Sequence, residues 1–409
     1  MIWIWHLAGL SRHAFLSFLL IAMTGWLECR AETAASVPYA SHIEFLKRGD
    51  ITQVRLHLSQ SLRVAVFSLP QPYRLVLDFQ KVDFTAIAKP LPHGGTLIKA
   101  YRAGLVAPDQ SRLVLDVKGP FKLVDVRSQA GAGNSSIVIL DLGRVSAAGF
   151  QAQGVAPNVQ RASAAQSLGS GSLQQQNIQF VVVVDPGHGG LDSGAIGVGR
   201  TLEKDIVLVV ARRLVRALSA MQGYKVVMTR NKDVFVSLDD RVELARSHRA
   251  DLFVSLHADA IARANRARKI RGASIYTLSR IASDDRARSF AEKENASDIL
   301  AGLPISHLAA RGRVEAILFD LMRRETEDFS LRLREHLIRR MRRSIRLSRS
   351  PRRSANFRVL RQPDTPSVLI ELGYMSNAQD VRELTRPGWQ SQAADAIAKA
   401  VTAYFEERG

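Results

Sequence analysis

The sequence predicts a C-terminal α/β domain with a mixed, largely parallel sheet flanked by helices, preceded by a small all-β sandwich domain. From residue 178 to 409, apolar runs of strand length alternate with segments of helical period, which is typical of α/β layers. Residues 41–143 show strand-like patterns alone. Residues 144–177 between them are rich in Ala, Gln, Ser and Gly, a composition that predicts a flexible linker.

Alternation of apolar and polar residues predicts the strands of the first domain. These predicted strands cover residues 52–58, 73–79, 111–117, 121–124 and 137–140. Residues 74–78 and 112–116 both read Arg-Leu-Val-Leu-Asp, so we expect two related strands in an antiparallel sandwich. No cluster of catalytic residue types occurs in this part of the sequence.

The second domain begins with Phe180-Val-Val-Val-Val184, a continuous apolar strand that we expect to be buried on both faces. Apolar residues at helical spacing then predict a helix over 205–220. The remaining predicted elements are strands over 224–229, 251–256, 273–278 and 367–372, and helices over 314–340 and 391–406.

The charge of the chain points to an anionic partner. The sequence has 57 Lys and Arg against 38 Asp and Glu, a net charge of +19, which suits nucleic acid, a lipid surface or an acidic polymer. Its single cysteine excludes an internal disulfide framework and a zinc site built on several thiolates. A metal site in this chain would therefore have to use His, Asp and Glu.

Residues 1–31 predict a secretory signal peptide. Arg12 and His13 precede an apolar run over 14–27, and Cys29-Arg30-Ala31 has small residues at both ends of a candidate cleavage tripeptide. The run is shorter than the roughly 20 apolar residues that a membrane span needs. We therefore expect export to the periplasm with no stable membrane insertion after cleavage, which favours a cell-wall polymer or a membrane surface over nucleic acid as the anionic partner.

Four side chains suited to metal and acid–base chemistry lie where α/β folds place their ligand sites. His188 and His257 each follow a predicted strand, and Glu371 lies inside another. Glu203 lies at the start of the first predicted helix. Two imidazoles and one carboxylate suit Zn²⁺ in a hydrolytic site, and a second carboxylate could transfer a proton.

Each of these residues alone also has a structural interpretation. A histidine at a strand end is often a hydrogen-bonded structural residue, and Glu203 could be a helix N-terminal carboxylate stabilised by the helix dipole. Glu371 fits this interpretation less well, because a buried carboxylate without a partner is costly. Spacing alone does not decide, and the sequence has no His-Glu-x-x-His metalloprotease motif.

A series of motifs runs through the second domain. They are Val-Asp-Pro-Gly-His-Gly-Gly-Leu-Asp-Ser-Gly-Ala at 184–195, Glu203-Lys-Asp205, Thr229-Arg230, Arg241, Ser255-Leu-His-Ala-Asp259, Gly272-Ala-Ser-Ile-Tyr276, Asn-Phe-Arg-Val-Leu-Arg at 356–361 and Pro-Ser-Val-Leu-Ile-Glu-Leu-Gly-Tyr-Met-Ser-Asn at 366–377. Taken in order, these motifs resemble the zinc-dependent N-acetylmuramoyl-L-alanine amidases of the Amidase_3 family, and the resemblance spans residues 180–405.

The resemblance implies a reaction and a role for each candidate residue. It implies that His188, Glu203 and His257 are zinc ligands and that Glu371 is the catalytic glutamate. The implied reaction is hydrolysis of the amide between N-acetylmuramic acid and L-alanine of peptidoglycan stem peptides, for septal wall splitting and daughter-cell separation. Two alternatives stay open: a non-catalytic peptidoglycan-binding division scaffold, and another zinc wall hydrolase such as an endopeptidase or a deacetylase.

Three segments of the first domain carry a second resemblance. Residues 71–79, Tyr101-Arg-Ala-Gly104 and residues 112–117 are similar to the AMIN domain, a β-sandwich found ahead of cell-wall amidases. The resemblance implies peptidoglycan binding and localisation at the division septum. A β-sandwich without a targeting role is the alternative.

A charged, helix-prone insert at about 284–315 interrupts the second domain. Its residues 286–302 resemble the regulatory helix of the division-associated amidases, which covers the active site until an activator with a LytM-type domain displaces it. The resemblance implies that a glutamate of the insert occupies the zinc's open position, with Glu294 as the first choice and Glu292 as the second. The alternative is a surface helix whose acids are solvated.

A basic run covers residues 339–353, with eight arginines and no acid. Such a run could bind nucleic acid. No aromatic residue interleaves it, however, and the chain is expected to be exported. We therefore predict a solvated helix end and loop that faces an anionic wall or membrane.

Overall fold

A computed structural model describes residues 37–70, 72–87, 95–150, 180–261, 270–303 and 313–408, with the backbone alone for 313–324 and 408. The predicted signal peptide and most of the predicted linker lie outside the described residues.

The N-terminal domain is built from antiparallel strands. In its described part they are β1 Ala40–Arg48, β2 Ile51–Leu58, β3 Val64–Leu69, β4 Arg74–Gln80, β5 Ile98–Ala107, β6 Gln110–Val117, β7 Phe121–Ala130 and β8 Ser136–Arg144. They form two four-stranded sheets with the orders β1-β2-β8-β7 and β3-β4-β6-β5. Leucine and valine side chains from both sheets pack into one core, so the predicted all-β sandwich is confirmed.

Strands β1, β3 and β5 are absent from the sequence prediction. Strand β5 shows why, because nearly all of its residues are half-buried and it lacks an alternating apolar pattern. The structure also extends the predicted strand 121–124 to residue 130, through a stretch whose side chains are mostly exposed.

The repeated Arg-Leu-Val-Leu-Asp segments become the neighbouring antiparallel strands β4 and β6. Their register pairs Arg74 with Asp116 and Asp78 with Arg112, so each arginine lies opposite the aspartate of the other copy. The leucines of both copies face the sandwich core, and the valines face the opposite side, where they pack against Leu191 of the second domain. Both faces of this strand pair are therefore buried.

The second domain has one six-stranded sheet between helices. Its described strands are β9 Phe180–Pro186, β10 Tyr224–Met228, β11 Leu252–His257, β12 Ala273–Leu278, β13 Leu347–Ala355 and β14 Ser367–Glu371. The strand order is β10-β9-β11-β14-β12-β13, and every neighbouring pair is parallel except β12 with β14. The predicted mixed, largely parallel sheet is confirmed.

Helices cover both faces of this sheet. The described α-helices are α1 Glu203–Ser219, α2 Leu238–Ser247, α3 Asp285–Asn295, α4 Ser297–Leu300, α5 Arg313–Met341, α6 Ala378–Leu384 and α7 Pro387–Arg408. Val182 and Val184 of β9 pack on the side of α1 and α7, and Val183 packs on the side of α2 and α3. This two-sided cover explains the unbroken valine run.

The prediction for the basic run was wrong in part. Residues 347–355 form strand β13 at the edge of the sheet rather than a loop. Arg353 is buried there, with Nη1 2.5 Å from Asp284 Oδ2, because a partner distant in sequence neutralises its charge. Among the described helices, we find none that combines the length and the apolar character needed to cross a membrane.

Candidate metal centre and active site

The candidate residues meet at the carboxyl ends of three adjacent parallel strands. Strand β11 lies between β9 and β14, with Leu256 paired to Pro186 and His257 paired to Glu371. Register partners on neighbouring strands direct their side chains to the same face. His257 and Glu371 therefore lie side by side, and the loop after β9 brings His188 to the same edge.

The loop after β9 needs unusual backbone conformations. His188 has φ 59°, in the left-handed region that non-glycine residues rarely adopt. Gly187 allows a close approach, since a Cβ atom there would lie 2.5 Å from Nε2 of His257. Holding a non-glycine residue in such a conformation costs on the order of 1–3 kcal/mol, so the surrounding contacts must fix it.

Two buried arginines supply those contacts. Arg241 donates to the carbonyl oxygens of Pro186 and His188, both at 2.8 Å, and pairs with Asp185 at 2.6 Å. Arg230 donates to the carbonyl oxygen of Gly187 at 2.8 Å. Both arginines belong to the motifs quoted above, but the sequence analysis gave them no role. Their hydrogen bonds to the β9 loop join residues far apart in sequence, which local patterns do not reveal.

Three side chains form a cluster that could hold a metal ion. One ligand atom from each of His188, Glu203 and His257 lies within 4.8 Å of the others, and all three residues are buried. Glu203 Oε1 is 3.1 Å from His188 Nε2 and 3.2 Å from His257 Nδ1. In the described part of the chain, no hydrogen bond uses His188 Nε2, so this nitrogen is available to a metal ion.

The backbone and a neighbouring acid orient these ligands. Glu203 Oε1 accepts from Ala258 N at 2.7 Å, and Oε2 accepts from Ala195 N at 2.8 Å. Asp192 Oδ2 accepts from His188 Nδ1 at 2.9 Å, the outer-shell arrangement common to metal-binding histidines. Burial opposes the charge of Glu203, but the imidazole of His188 and further donors hold its pKa well below the ordinary value. The donor set therefore fits a divalent ion that accepts two nitrogens and a charged oxygen.

Glu371 lies beside this cluster and is fully buried. Its Oε1 accepts a hydrogen bond from the backbone N of Asp259. Its Oε2 has no hydrogen-bond partner among the described residues. Burial and then the negative charges of Asp259 and Glu203 raise the pKa of Glu371 well above its ordinary value. A carboxyl group with a raised pKa takes up a proton more readily than an ordinary glutamate, which suits a role in proton transfer.

The predicted insert lies over the cluster. Helices α3 and α4 and the turn after them, residues 285–303, are named here the covering segment. Glu294 Oε2 lies 3.4 Å from His188 Nε2 and 3.5 Å from His257 Nδ1, whereas Glu292 is exposed. The remaining cavity, about 10 Å³, is lined in part by Glu294 and His257. The structure thus places Glu294 within 3.5 Å of the two histidines of the candidate metal cluster.

Apolar and polar contacts hold the covering segment in place. Phe290 is buried, with ring centroids 5.4 Å from Tyr276 and 5.1 Å from Phe357. Lys293 Nζ is 2.5 Å from Asp259 Oδ1 and 3.5 Å from Glu294 Oε1. The sequence motifs include Asp259 and the predicted insert includes Lys293, but their ion pair was not predicted, because the two residues come together only through the fold.

Comparison with known proteins gives the family. Residues 182–403 match Amidase_3, described as N-acetylmuramoyl-L-alanine amidase, and residues 42–142 match the AMIN domain. The amidase AmiC of Escherichia coli O6:H1 is 31% identical over 369 residues, which cover 87% of each chain. The amidase AmiA of Escherichia coli K12 is 39% identical over 229 residues, 55% of this chain and 76% of that protein. The solved structure of AmiC2 from Nostoc punctiforme is 30% identical, with a TM-score of 0.40 over 56% of this chain and 97% of that one.

The family is shown by the Amidase_3 match over residues 182–403 and by the 31% identity to AmiC over 87% of each chain. The chain belongs to the Amidase_3 family of N-acetylmuramoyl-L-alanine amidases and carries an N-terminal AMIN domain.

Proposed function

We propose that this chain hydrolyses the amide bond between N-acetylmuramic acid and L-alanine of peptidoglycan stem peptides, with zinc held by His188, Glu203 and His257. The observation that carries the proposal is the buried cluster of three ligand atoms within 4.8 Å, with Glu371 on the adjacent strand. When bound, zinc supplies a Lewis acid that polarises an amide carbonyl. Two nitrogen donors and a carboxylate are an ordinary zinc set in hydrolases.

Glu371 is proposed to transfer the proton in this reaction. Its unpartnered Oε2 accepts a proton from the attacking water while the new C–O bond forms. The same group then gives the proton to the alanine nitrogen as the C–N bond breaks, which leaves a lactyl carboxylic acid and a free amine. The backbone N of Asp259 holds Oε1 and so fixes the direction of Oε2.

Digestion of purified sacculi tests the activity. Glu371→Gln should bind zinc in the wild-type ratio but release stem peptides roughly 10²–10⁴-fold more slowly. Glu406→Gln, an exposed change on α7, is the matched control and should digest normally. Metal analysis and mass spectrometry of the products give the two readouts.

The products also separate the alternatives. Free stem peptides support the amidase, whereas cut cross-links or deacetylated sugars would indicate a different zinc hydrolase. A Glu294→Ala chain, which lacks the covering carboxylate near the histidines, that binds sacculi and still yields no products would indicate a non-catalytic scaffold.

We also propose that the covering segment inhibits the enzyme. Glu294 is buried 3.4–3.5 Å from both histidines, the position that a substrate carbonyl or water would need. Glu294→Ala should therefore raise hydrolysis in the absence of any partner, and Glu292→Ala on the exposed side of α3 should not. Equal rates for wild type, both variants and a folded deletion of residues 286–302 would refute the inhibition.

An activator is the partner that this arrangement requires. From the resemblance of the insert we propose a protein with a LytM-type domain, which displaces the covering segment. Such a domain should raise wild-type hydrolysis and leave Glu294→Ala nearly unchanged. A domain that stimulates both proteins equally would act by another route.

The location is proposed to be the periplasm at the division septum. Cleavage after Ala31 should leave a mature chain that begins at Glu32 in periplasmic extracts, as mass spectrometry would show. The sandwich at 41–143 is proposed as the targeting domain. A fluorescent fusion without these residues should lose the septal band.

A further inference from the structure

The outer face of the β4–β6 strand pair contacts the end of the covering segment. Val76 and Val114 on this face belong to one buried apolar cluster with Ala301. At Gly302 an added Cβ would lie 3.1 Å from Val114 and 3.2 Å from Val76, so the backbone lies directly on the sheet. The sandwich domain thus covers the last residues of the segment whose earlier part carries Glu294.

Three arginines of the same sheet donate to the carbonyl oxygens of this segment end. Arg74 Nη1 donates to Ile299 O, and Arg102 Nε donates to Leu300 O. Arg112 Nη1 lies 3.3 Å from the carbonyl oxygens of both Ala301 and Gly302. The carbonyls at the end of a helix lack partners within it and carry partial negative charge, so guanidinium groups match them in geometry and sign.

Two of the three arginines are held by aspartates of the repeated motif. Arg112 makes a two-pronged pair with Asp78 at 2.6 and 2.8 Å, and Arg102 makes one with Asp116 at 2.8 and 2.7 Å. These pairs orient the remaining guanidinium nitrogens, Nη1 of Arg112 and Nε of Arg102, towards the covering segment. The Arg-Leu-Val-Leu-Asp repeat therefore builds a preorganised cationic face.

Arg74 depends on the covering segment more directly. It is 1% exposed, and its hydrogen bonds go to the carbonyls of Pro72, Ile299 and Leu303. Burial, together with the positive charge of Arg102, lowers the pKa of Arg74 to about 10. A buried cation that lost these carbonyls would be poorly satisfied, so the sheet and the closed segment stabilise each other.

We propose that the outer face of β4 and β6 is a docking surface for residues 299–303 of this chain, and that the sandwich domain thereby keeps Glu294 in the metal site. The inference rests on the proposed inhibition by the covering segment. Glu294 and Ile299 lie in consecutive helices, so a displacement of the segment end is transmitted to the glutamate. Any ligand that pulls the sandwich domain from the segment would favour the open enzyme.

Amide hydrogen exchange and hydrolysis on the full chain test the proposal together. Arg74→Leu removes a cation without leaving an aspartate unpaired, and Arg102→Gln is the second variant should Arg74→Leu fail to fold. Loss of a single charge-assisted hydrogen bond should speed exchange in residues 285–303 roughly tenfold, and Arg74→Leu removes two, to Ile299 O and Leu303 O. Hydrolysis without a partner should rise towards the Glu294→Ala level. Arg63→Leu, an exposed change beside β3, should alter neither readout.

The outcomes distinguish this proposal from the inhibition itself. Folded variants whose exchange equals that of wild type would overturn the docking surface. Suppose that Glu294→Ala hydrolyses faster than wild type, but the arginine variants show faster exchange without faster hydrolysis. That result would overturn the regulatory role of the docking surface. If Glu294→Ala has no effect, the inhibition fails, and the exchange rates still decide whether the sheet holds the segment.

Discussion

Replacement of Arg241 by Met should be among the most damaging single changes in the second domain. Arg241 is 3% exposed and Asp185 is fully buried, and the pair is 2.6 Å apart. Removing one partner of a buried ion pair typically costs about 3–5 kcal/mol, because the other charge stays buried and unpaired. The variant also loses the donors to Pro186 O and His188 O, so the loop that carries His188 loosens.

The pH dependence of this loss follows from Asp185. Burial alone would raise the pKa of Asp185, but Arg241 and two hydroxyl donors hold it below its ordinary value. Because the folded pKa of Asp185 is lowered, this carboxylate stabilises the fold at pH values above its unfolded pKa of about 3.9. In Arg241→Met burial outweighs the two hydroxyl donors and raises the folded pKa, so Asp185 then destabilises the fold at neutral pH. The loss of unfolding free energy in Arg241→Met should therefore be larger at neutral pH than at about pH 4.

Urea unfolding measures both effects. Trp389 is buried in the core of the second domain, and the other three tryptophans lie within the predicted signal peptide, so fluorescence of the mature chain reports on this domain. Arg246→Met on the exposed side of α2 is the control, with an expected change within about 0.5 kcal/mol. A loss below about 1 kcal/mol for Arg241→Met, or one that does not shrink at low pH, would refute the reasoning.

Three further predictions concern the metal site. Asp192→Asn should weaken metal binding roughly 10–100-fold in a chelator competition, since it removes the acceptor that orients His188; unchanged affinity would contradict that role. Asp259→Asn should move the acid limb of the kcat/KM profile to lower pH. The negative charge of Asp259 adds to the effect of burial in raising the pKa of Glu371, and the substitution removes that charge. An unmoved limb would argue against Glu371 as the proton acceptor. Chelation should speed amide exchange in residues 285–303, and equal exchange with and without the metal would show that closure and metal binding are independent.

Local signals placed the four central side chains at the ends of predicted strands or at a helix start, whereas their roles came from the family resemblance. The valine run of β9 and the apolar β14 are recognisable strands, and the carboxyl ends of parallel strands meet at one edge. His188 and Glu371 could be placed there without knowledge of distant contacts. The partners that set their conformation and pKa, such as Arg241 and Asp259, depend on contacts far apart in sequence.

For a related reason, the sequence did not predict that both faces of the β4–β6 strand pair are buried. An Arg-Leu-Val-Leu-Asp strand has polar ends that are typical of one solvent-facing side. Here those ends pair across the strands, Arg112 with Asp78, and the intervening valines face another domain. Alternation reports which residues share a face, but it does not report what covers that face.

The charges at the site explain why closure and metal binding should favour each other. In the described part of the chain, the carboxylates of Glu203, Glu294, Asp259 and Glu371 influence one another in one buried region, where burial and the neighbouring acids raise the pKa of Glu371. Lys293 brings one positive charge to this region, paired with Asp259 at 2.5 Å. A divalent cation between the histidines and Glu203 would add two positive charges and so stabilise the Glu294 carboxylate close to the histidines. Such coupling is reciprocal, so the closed covering segment should also retain the metal. Under the proposed inhibition, the closed segment would both block and retain the metal, and its opening would allow substrate entry and metal exchange.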